Sequence, residues 1–429
     1  MKPNYMTTIG SIADVYDGPH ATPKKLEQGP YFLSISSLDK GRLDLKKSAF
    51  LSEDDFKKWT KRVTPEEGDL LFSYETRLGE SALMPSGVRA CLGRRMGLLR
   101  FNREKVTPEY ALYAYLSPAF QQTIKANTIT GATVDRIALN ELPNFPIRIP
   151  PIQEQKKVAK LLSEIDKKIE LNNRINAELE AMAKTLYDYW FVKFDFPDDS
   201  RQGQGRPYKT SGGKMVYSPT LKREIPAGWS DCILGEHVTF KRGISYKSGD
   251  IQDEGVPFLN LNSFSLSGEF KQTGTKYYNG KFKPESKLDA GELVIAITDV
   301  TRNADIIGKA FVIPDVFDEQ PLISCDVARV SSKTFGEAYL EQLFNSYSYH
   351  KYIKHFASGT LVLHLDLQGV KWFKTHLPPS NLLDKFNKNC DSLFKQRDIV
   401  LKENVYLESL RDWLLPMLMN GQITVSEAS

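Results

Sequence analysis

The sequence holds few residues whose type and spacing could make or break a covalent bond. Ser211-Gly212-Gly213-Lys214-Met215 lacks both the spacing and the hydroxyl of a phosphate-cradling GxxxxGK[ST] loop. Gly203-Gln204-Gly205 follows no expected strand and sits in a polar, turn-rich stretch. His350 and His355 are five residues apart, the wrong interval for two metal ligands on one helical face. Glu269-Phe270-Lys271 has the form of half a nuclease carboxylate–lysine site, but nothing in the sequence fixes its upstream aspartate. The Pro-Pro pairs in Ile149-Pro150-Pro151-Ile152 and Leu377-Pro378-Pro379-Ser380 lack the polar and aromatic neighbours of a base-methylating motif, and read as helix entries. Cys91, Cys232, Cys325 and Cys390 form no CxxC and are expected as reduced thiols. No catalytic residue and no metal ligand is nominated.

Basic residues interleaved with aromatics are better represented. Lys57, Lys58, Trp59, Lys61 and Arg62 form one cluster, and Arg94 and Arg95 a second. Lys276, Tyr277, Tyr278, Lys281 and Lys283 form a third, and Lys241 and Arg242 a fourth. Such side chains neutralise phosphates and hydrogen-bond to base edges, although a single basic cluster is more often a solvated face. Arg77 in Ser73-Tyr74-Glu75-Thr76-Arg77 and Arg302 in Thr298-Asp299-Val300-Thr301-Arg302-Asn303 add two loops that follow expected strands. Residues 1–150 carry 21 Lys and Arg against 17 Asp and Glu, so the first part is mildly basic, which permits a polyanionic partner.

The elements that would position these residues are legible from period and repetition. The chain has 429 residues, enough for two or more cores, and no apolar run of membrane-spanning length. The N-terminus lacks the apolar run of a secretory signal, so a cytoplasmic protein is expected. Across residues 150–194, Val158, Leu162, Ile165, Ile169, Asn172, Asn176, Leu179, Ala183, Leu186 and Trp190 recur at alternating steps of four and three. That is a heptad seam, predicting a rod of about 60 Å that needs a partner helix. Buried asparagines in such a seam fix register at some cost in stability.

The partner comes from duplication. Gly10 and Gly18 match Gly235 and Gly243, Gly68 matches Gly291, Gly131 matches Gly359, and Pro150-Pro151 matches Pro378-Pro379, at offsets between 223 and 228. The same offset carries the seam to Phe386, Cys390, Leu393, Arg397, Val400, Asn404, Leu407, Arg411, Leu414 and Leu418. The order is globule, rod, globule, rod, and both seams are buried only if the second rod returns along the first. The expected class is therefore α+β: two similar mixed globular domains separated by an intramolecular antiparallel coiled coil, with pseudo-twofold symmetry. The expected boundaries are 1–150 and 229–377 for the globules, 151–196 and 378–429 for the helical spacers, and 197–228 for a linker of little regular structure. A coiled-coil scaffold whose globules bind proteins is the competing reading, separable from a DNA binder by its weaker dependence on salt.

The arrangement resembles the specificity subunit of type I restriction–modification systems. The resemblance rests on Ile149-Pro150-Pro151-Ile152-Gln153-Glu154-Gln155 with its long helix ending Tyr189-Trp190-Phe191. It rests also on Ser211-Gly212-Gly213-Lys214-Met215, on Ile225-Pro226-Ala227-Gly228-Trp229, and on GATVDRI at 131–137. It implies a non-catalytic reader of double-stranded DNA, each globule recognising one half of an asymmetric bipartite target. It implies two adenine methyltransferase subunits docked on the helices, and restriction/translocase subunits in the full complex. S-adenosylmethionine, ATP and Mg²⁺ would belong to those partners, with no cofactor in this chain. The second rod departs from the pattern at Ser380-Asn381-Leu382-Leu383, where the family has an acidic-Gln entry.

Overall fold

Two long helices run through an otherwise short-stranded chain: Ile152–Tyr187, continued by a π-helical turn over Asp188–Val192, and Ser380–Met419. The computed structural model describes residues 5–426 apart from 20, 132, 133, 201 and 202. Packing divides it into two units, Met1–Glu170 with Tyr406–Ser429, and Leu171–Val405, so each long helix contributes to both.

The first unit is built on a four-stranded antiparallel sheet in the order Ala13–Asp17, Met96–Phe101, Leu70–Ser73, Ser81–Leu83. Alternation along the central strands sorts two cores. Leu70, Phe72 and Leu99 face Tyr110, Phe120 and the helix residues Val158 and Leu162. Leu71 and Leu98 face Leu33, Leu38 and Met84 on the other side. Ser117 and Pro118 separate two helices, Pro108–Leu116 and Pro118–Ala126, with proline opening each. The long helix enters the unit through Gln155, which is wholly buried. Its Nε2 donates to the carbonyls of Pro150 (2.7 Å) and Lys105 (2.9 Å), and its Oε1 accepts from the Thr107 amide (2.9 Å). Glu154 pairs with Arg148 at 3.1 Å. The QEQ stretch thus serves its own fold. The repeat-related position, 383, is a buried leucine, so the second helix enters on apolar packing instead. At the far end of the chain Leu418 and Met419 join the same core, and Arg411 meets Asp166 at 3.1 Å.

The second unit repeats the sheet: Val238–Arg242, Val327–Ser332, Leu293–Ala296, Ala310–Val312. It also repeats the helix pair, as Glu337–Asn345 and Tyr347–Ile353, and the pairing of Met6–Thr8 with Pro146–Arg148, as Ser230–Ile233 with Lys374–Leu377. A shared close approach explains Gly18 and Gly243. A Cβ at the first would strike the Gly93 carbonyl oxygen, and one at the second the carbonyls of Ile323 and Ser324.

Within this unit the two helices run antiparallel. Asn172 stands beside Asn404, and Trp190 beside Phe386 with ring centroids 5.8 Å apart. Val158, Leu162, Ile165, Ile169, Asn176 and Leu179 are buried and Leu186 is partly so; on the other helix Phe386 and Asn404 are buried, while Leu393, Val400, Leu407 and Leu414 are half-covered. Arg397, at a seam position, is 2% exposed; it meets Asp398 at 3.0 Å and lies 4.6 Å from the Phe394 ring. Residues 197–228, expected as a loop of little regular structure, instead hold two hairpins, Pro197–Asp198 with Arg206–Pro207 and Met215–Ser218 with Arg223–Pro226. Aromatic anchors hold them: Phe196 stacks on Tyr208 (4.7 Å) and on Trp229 (5.3 Å).

The seam asparagines differ in how they are satisfied. Asn172 Nδ2 donates to Asn404 Oδ1 (2.9 Å) and Glu403 Oε2 (2.8 Å), and Asn404 Nδ2 donates to Asn173 Oδ1 (2.9 Å). Asn176 is buried, and neither of its amide atoms has a hydrogen-bond partner among the described residues. Opposite effects are expected from the same substitution. Asn176→Leu should raise stability by about 1 kcal/mol, because it removes a buried unpaired amide. Asn172→Leu should lower it by about 1–3 kcal/mol, because it strands Asn404. Thermal unfolding of the two variants checks the signs.

Candidate nucleic-acid interface

In the first unit the strand register delivers a cluster to one end of the sheet. Asp17 closes its strand opposite Gly97, and Met96 stands opposite Ser73. The loops leaving that end carry Arg94, Arg95 and Arg77. A hairpin of Thr128–Ile129 with Arg136–Ile137 is fastened to the same end by Ile137 N donating to Tyr74 O (2.8 Å) and Thr76 N to Asp135 O (3.3 Å). It brings Arg136, in a bridge opposite Glu75. Arg62 arrives by pairing with Asp17 at 2.5 Å. Arg95 pairs with Glu75 at 2.8 Å and Arg77 with Glu80 at 2.9 Å. Arg94 and Arg136 are exposed and have no carboxylate partner among the described residues. Burial, then the charges of Asp17 and Glu75, push the Tyr74 hydroxyl above its ordinary range, so it remains a neutral donor beside these arginines. Ala132 and Thr133 lie outside the described residues.

Lys57 and Lys58 stand on the exposed side of helix Glu53–Trp59, whose Phe56 and Trp59 pack on Phe32, Leu51 and Cys91. Lys58 lies 4.8 Å from the Trp59 ring, and exposed Lys61 follows the helix. These three lysines belong to the helix and its exit, which leads into Arg62.

The second unit presents the same end differently. Thr298 and Asp299 pair with His364 and Leu363 of the hairpin Ala357–Ser358, Leu363–Leu365, as Glu75 pairs with Arg136 in the first unit. Glycines 131 and 359 turn the two hairpins alike, for a Cβ would strike the carbonyl oxygen of Val134 or Val362. The loop after Asp299 is held by that buried carboxylate, which accepts from the amides of Thr301 (2.7 Å), Ile306 (2.7 Å) and Ile307 (3.1 Å). Val300 is 64% exposed, Leu361 88% and Val362 39%; Arg302 is exposed as well. Arg242 ends its strand here, and Lys241 Nζ donates to the Glu285 carbonyl at 2.9 Å.

One nominated residue is corrected. Tyr278 is 3% exposed, stacks on Phe258 at 5.3 Å and donates its hydroxyl to the Lys281 carbonyl. It alternates inward on strand Lys276–Tyr278, as the period-two rule requires, and offers no face to a ligand; Tyr277 and Lys281 are exposed and Lys276 half-exposed. Conversely, Arg136, Leu361 and Val362 join the site without standing among the sequence-based candidates. The signal that finds them is the hairpin's equivalence in the two repeats, visible once Gly131 and Gly359 are aligned.

The long helices also keep a second apolar face. In the second unit Leu171, Met182 and Tyr189 of one helix and Ile399 of the other are 43, 55, 46 and 70% exposed. In the first unit Tyr406 and Trp413 are 67 and 55% exposed. Ile399, Tyr406 and Trp413 recur every seven residues, one stripe of a helix.

Repeated mixed units, continuous long helices and loop ends rich in exposed side chains describe a double recognition module. Residues 4–181 match the model of the type I restriction modification DNA specificity domain. The type I restriction enzyme MjaIX specificity subunit of Methanocaldococcus jannaschii is 23% identical over 420 residues, spanning 96% of this chain and 88% of that one. The HindI specificity subunit of Haemophilus influenzae is 24% identical over 362 residues, spanning 75% and 79%. In fold, the crystal structure of the type I restriction–modification system S subunit from M. genitalium is similar with a TM-score of 0.55 at 17% identity, covering 96% of this chain and 95% of the other. Residues 4–181 are thus similar to the type I restriction modification DNA specificity domain, and the chain along most of its length is similar to type I restriction enzyme specificity subunits. Beyond residue 181 the second unit lies outside the residues matched by the domain model, and its strand order is what ties it to the first.

Proposed function

We propose that this chain is the non-catalytic DNA reader of a cytoplasmic type I restriction–modification complex, each unit recognising one half of an asymmetric bipartite target. The observation that carries the reading is the duplicated sheet end, which presents the same loop and hairpin in both units with different side chains. Equivalent frames with unlike tips read unlike half-sites. The globules 1–150 and 229–377 act as target-recognition domains. The helices 151–196 and 378–429 form an antiparallel, pseudo-twofold spacer that sets the distance between half-sites. Their second apolar face, including Met182, Tyr189, Ile399, Tyr406 and Trp413, docks two adenine methyltransferase subunits. S-adenosylmethionine, ATP and Mg²⁺ act on those subunits and on the restriction/translocase partners. Two modules that meet the same face of a duplex read half-sites about one helical turn apart, roughly 34–36 Å.

Mapping adenine methylation across the host genome with the gene present and deleted tests this. One bipartite methylated motif with an unread spacer should vanish on deletion. Unchanged methylation in a cell whose methyltransferase partner is expressed and active would refute the proposal.

A further inference from the structure

The two sheet ends can be matched position by position. The offset of strand Leu70–Ser73 to Leu293–Ala296 places Arg77 opposite Val300 in the repeat. The offset of Met96 to Val327, the first residues of equivalent strands, places Arg94 opposite Cys325 and Arg95 opposite Asp326. The bridges Glu75–Arg136 and Thr298–His364 place Arg136 opposite His364. These four arginines of the first end are therefore replaced, by an aliphatic residue, a thiol, an acid and an imidazole. The acid is itself engaged, since Asp326 Oδ1 accepts from Thr298 Oγ1 at 2.9 Å. The second end projects the aliphatic side chains Val300, Leu361 and Val362, flanked by exposed Arg242 and Arg302 at other positions.

These ends suit different base edges. A guanidinium donates two parallel hydrogen bonds to guanine O6 and N7, and no other base presents that acceptor pair in the major groove. The one apolar group in that groove is the thymine 5-methyl, which aliphatic side chains cover. An aliphatic side chain left 88% exposed at a hairpin turn gains stability when it is covered by such a group. Resting on the DNA-reading function proposed above, we infer that the two units read half-sites of different base chemistry. The first takes a guanine-bearing half through Arg94 and Arg136, the two arginines without a carboxylate partner among the described residues, with Arg77 and Arg95 held beside them by Glu80 and Glu75. The second takes a thymine-bearing half through Val300 and Leu361, with Arg302 and Arg242 left for phosphate.

The test uses the assembled methyltransferase complex and duplexes carrying the motif obtained by methylation mapping. In one series the guanines of one half are replaced by 7-deazaguanine, which lacks the N7 acceptor. In the other the thymines of one half are replaced by uracil, which lacks the methyl group. 7-Deazaguanine should weaken binding in one half only, by roughly 5- to 150-fold for each bidentate arginine–guanine pair it breaks. Uracil should weaken it in the other half, by about fourfold for each covered methyl group. Arg94→Ala with Arg136→Ala should abolish the first sensitivity and keep the second; Val300→Ala with Leu361→Ala should do the reverse. All four side chains are exposed or at a loop tip, and melting temperatures should stay at the wild-type value. Equal analogue responses in the two halves, or uracil sensitivity that survives Leu361→Ala with Val300→Ala, overturns the inference while leaving bipartite reading intact. A complex that binds without preference for any motif overturns both.

Discussion

Replacing Asp299 by alanine is expected to destabilise the second unit by about 3–5 kcal/mol and to loosen the loop over residues 300–307. The carboxylate is fully buried and accepts three backbone amides, two of them on residues that are themselves buried, Ile306 and Ile307. Hydrogen bonds to a charged acceptor contribute about 1.5–3 kcal/mol each, and a buried donor left unpaired carries its full desolvation cost. The alanine methyl accepts nothing in their place. Asp299→Asn keeps one acceptor oxygen but turns an NH₂ toward amides that are donors themselves, so about half the loss is expected. Two measurements check this: the unfolding midpoint of the purified chain, and amide hydrogen exchange at residues 301, 306 and 307. The first unit has Thr76 at the equivalent place and fastens its loop by other means, Thr76 N to Asp135 O and the Arg77–Glu80 pair. Specificity should therefore fall at one half-site alone. Wild-type melting with unchanged exchange would show that Asp299 does not hold the loop.

A larger effect on function is expected from lengthening both helices. Duplicating residues 170–176 in the first and 400–406 in the second adds one heptad to each and preserves seam phase on both sides. Asn172 and Asn404, which pair across the seam, are each copied. Seven residues add about 10 Å of rise, close to three base pairs of B-form duplex. The methylated motif should keep both half-sites and gain a spacer about three base pairs longer, with the original motif no longer methylated. Three base pairs also rotate the duplex by roughly a quarter turn, so weaker overall binding accompanies the shift. The segments chosen lie between Leu162 and Leu414 of one core and Ala183 and Phe394 of the other, and Leu401 within them packs on a further core cluster of the second unit. Methylation that persists at the original spacing would show that the helices are not the ruler.

Periodic and repeated features are legible in the sequence, whereas those created by register are hidden. The heptad seam and the glycines at offsets of 223 to 228 are local signals, and the structure carries two like sheets with Gly10, Gly18, Gly131, Gly235, Gly243 and Gly359 at close approaches and Gly68 and Gly291 in positive-φ turns. The arginine end is only half visible. Arg77, Arg94 and Arg136 are widely separated in sequence, and they meet because strand pairing brings three loops to one edge. Nothing local distinguishes Arg94 from Lys57, which stands on the outer side of a short helix. Tyr278 misleads because a basic-aromatic run does not say which of two alternating faces looks inward. Residues 197–228 mislead because small polar residues dominate their composition, while Phe196, Tyr208 and Trp229 do the holding.

The first unit is assembled from both ends of the chain, residues 1–170 and 406–429, whereas the second is one uninterrupted stretch, 171–405. During synthesis the order of completion therefore inverts the order of sequence. The later module can close as soon as its own residues have left the ribosome, while the earlier one waits for Leu418 and Met419 to fill its core. A polypeptide cut short soon after residue 405 carries a finished second module and an unfinished first, with apolar surface open to quality-control proteases. Residues 406–419 thus complete a core begun near the start of the chain, and truncation after residue 405 should uncover the apolar surface that Leu418 and Met419 close.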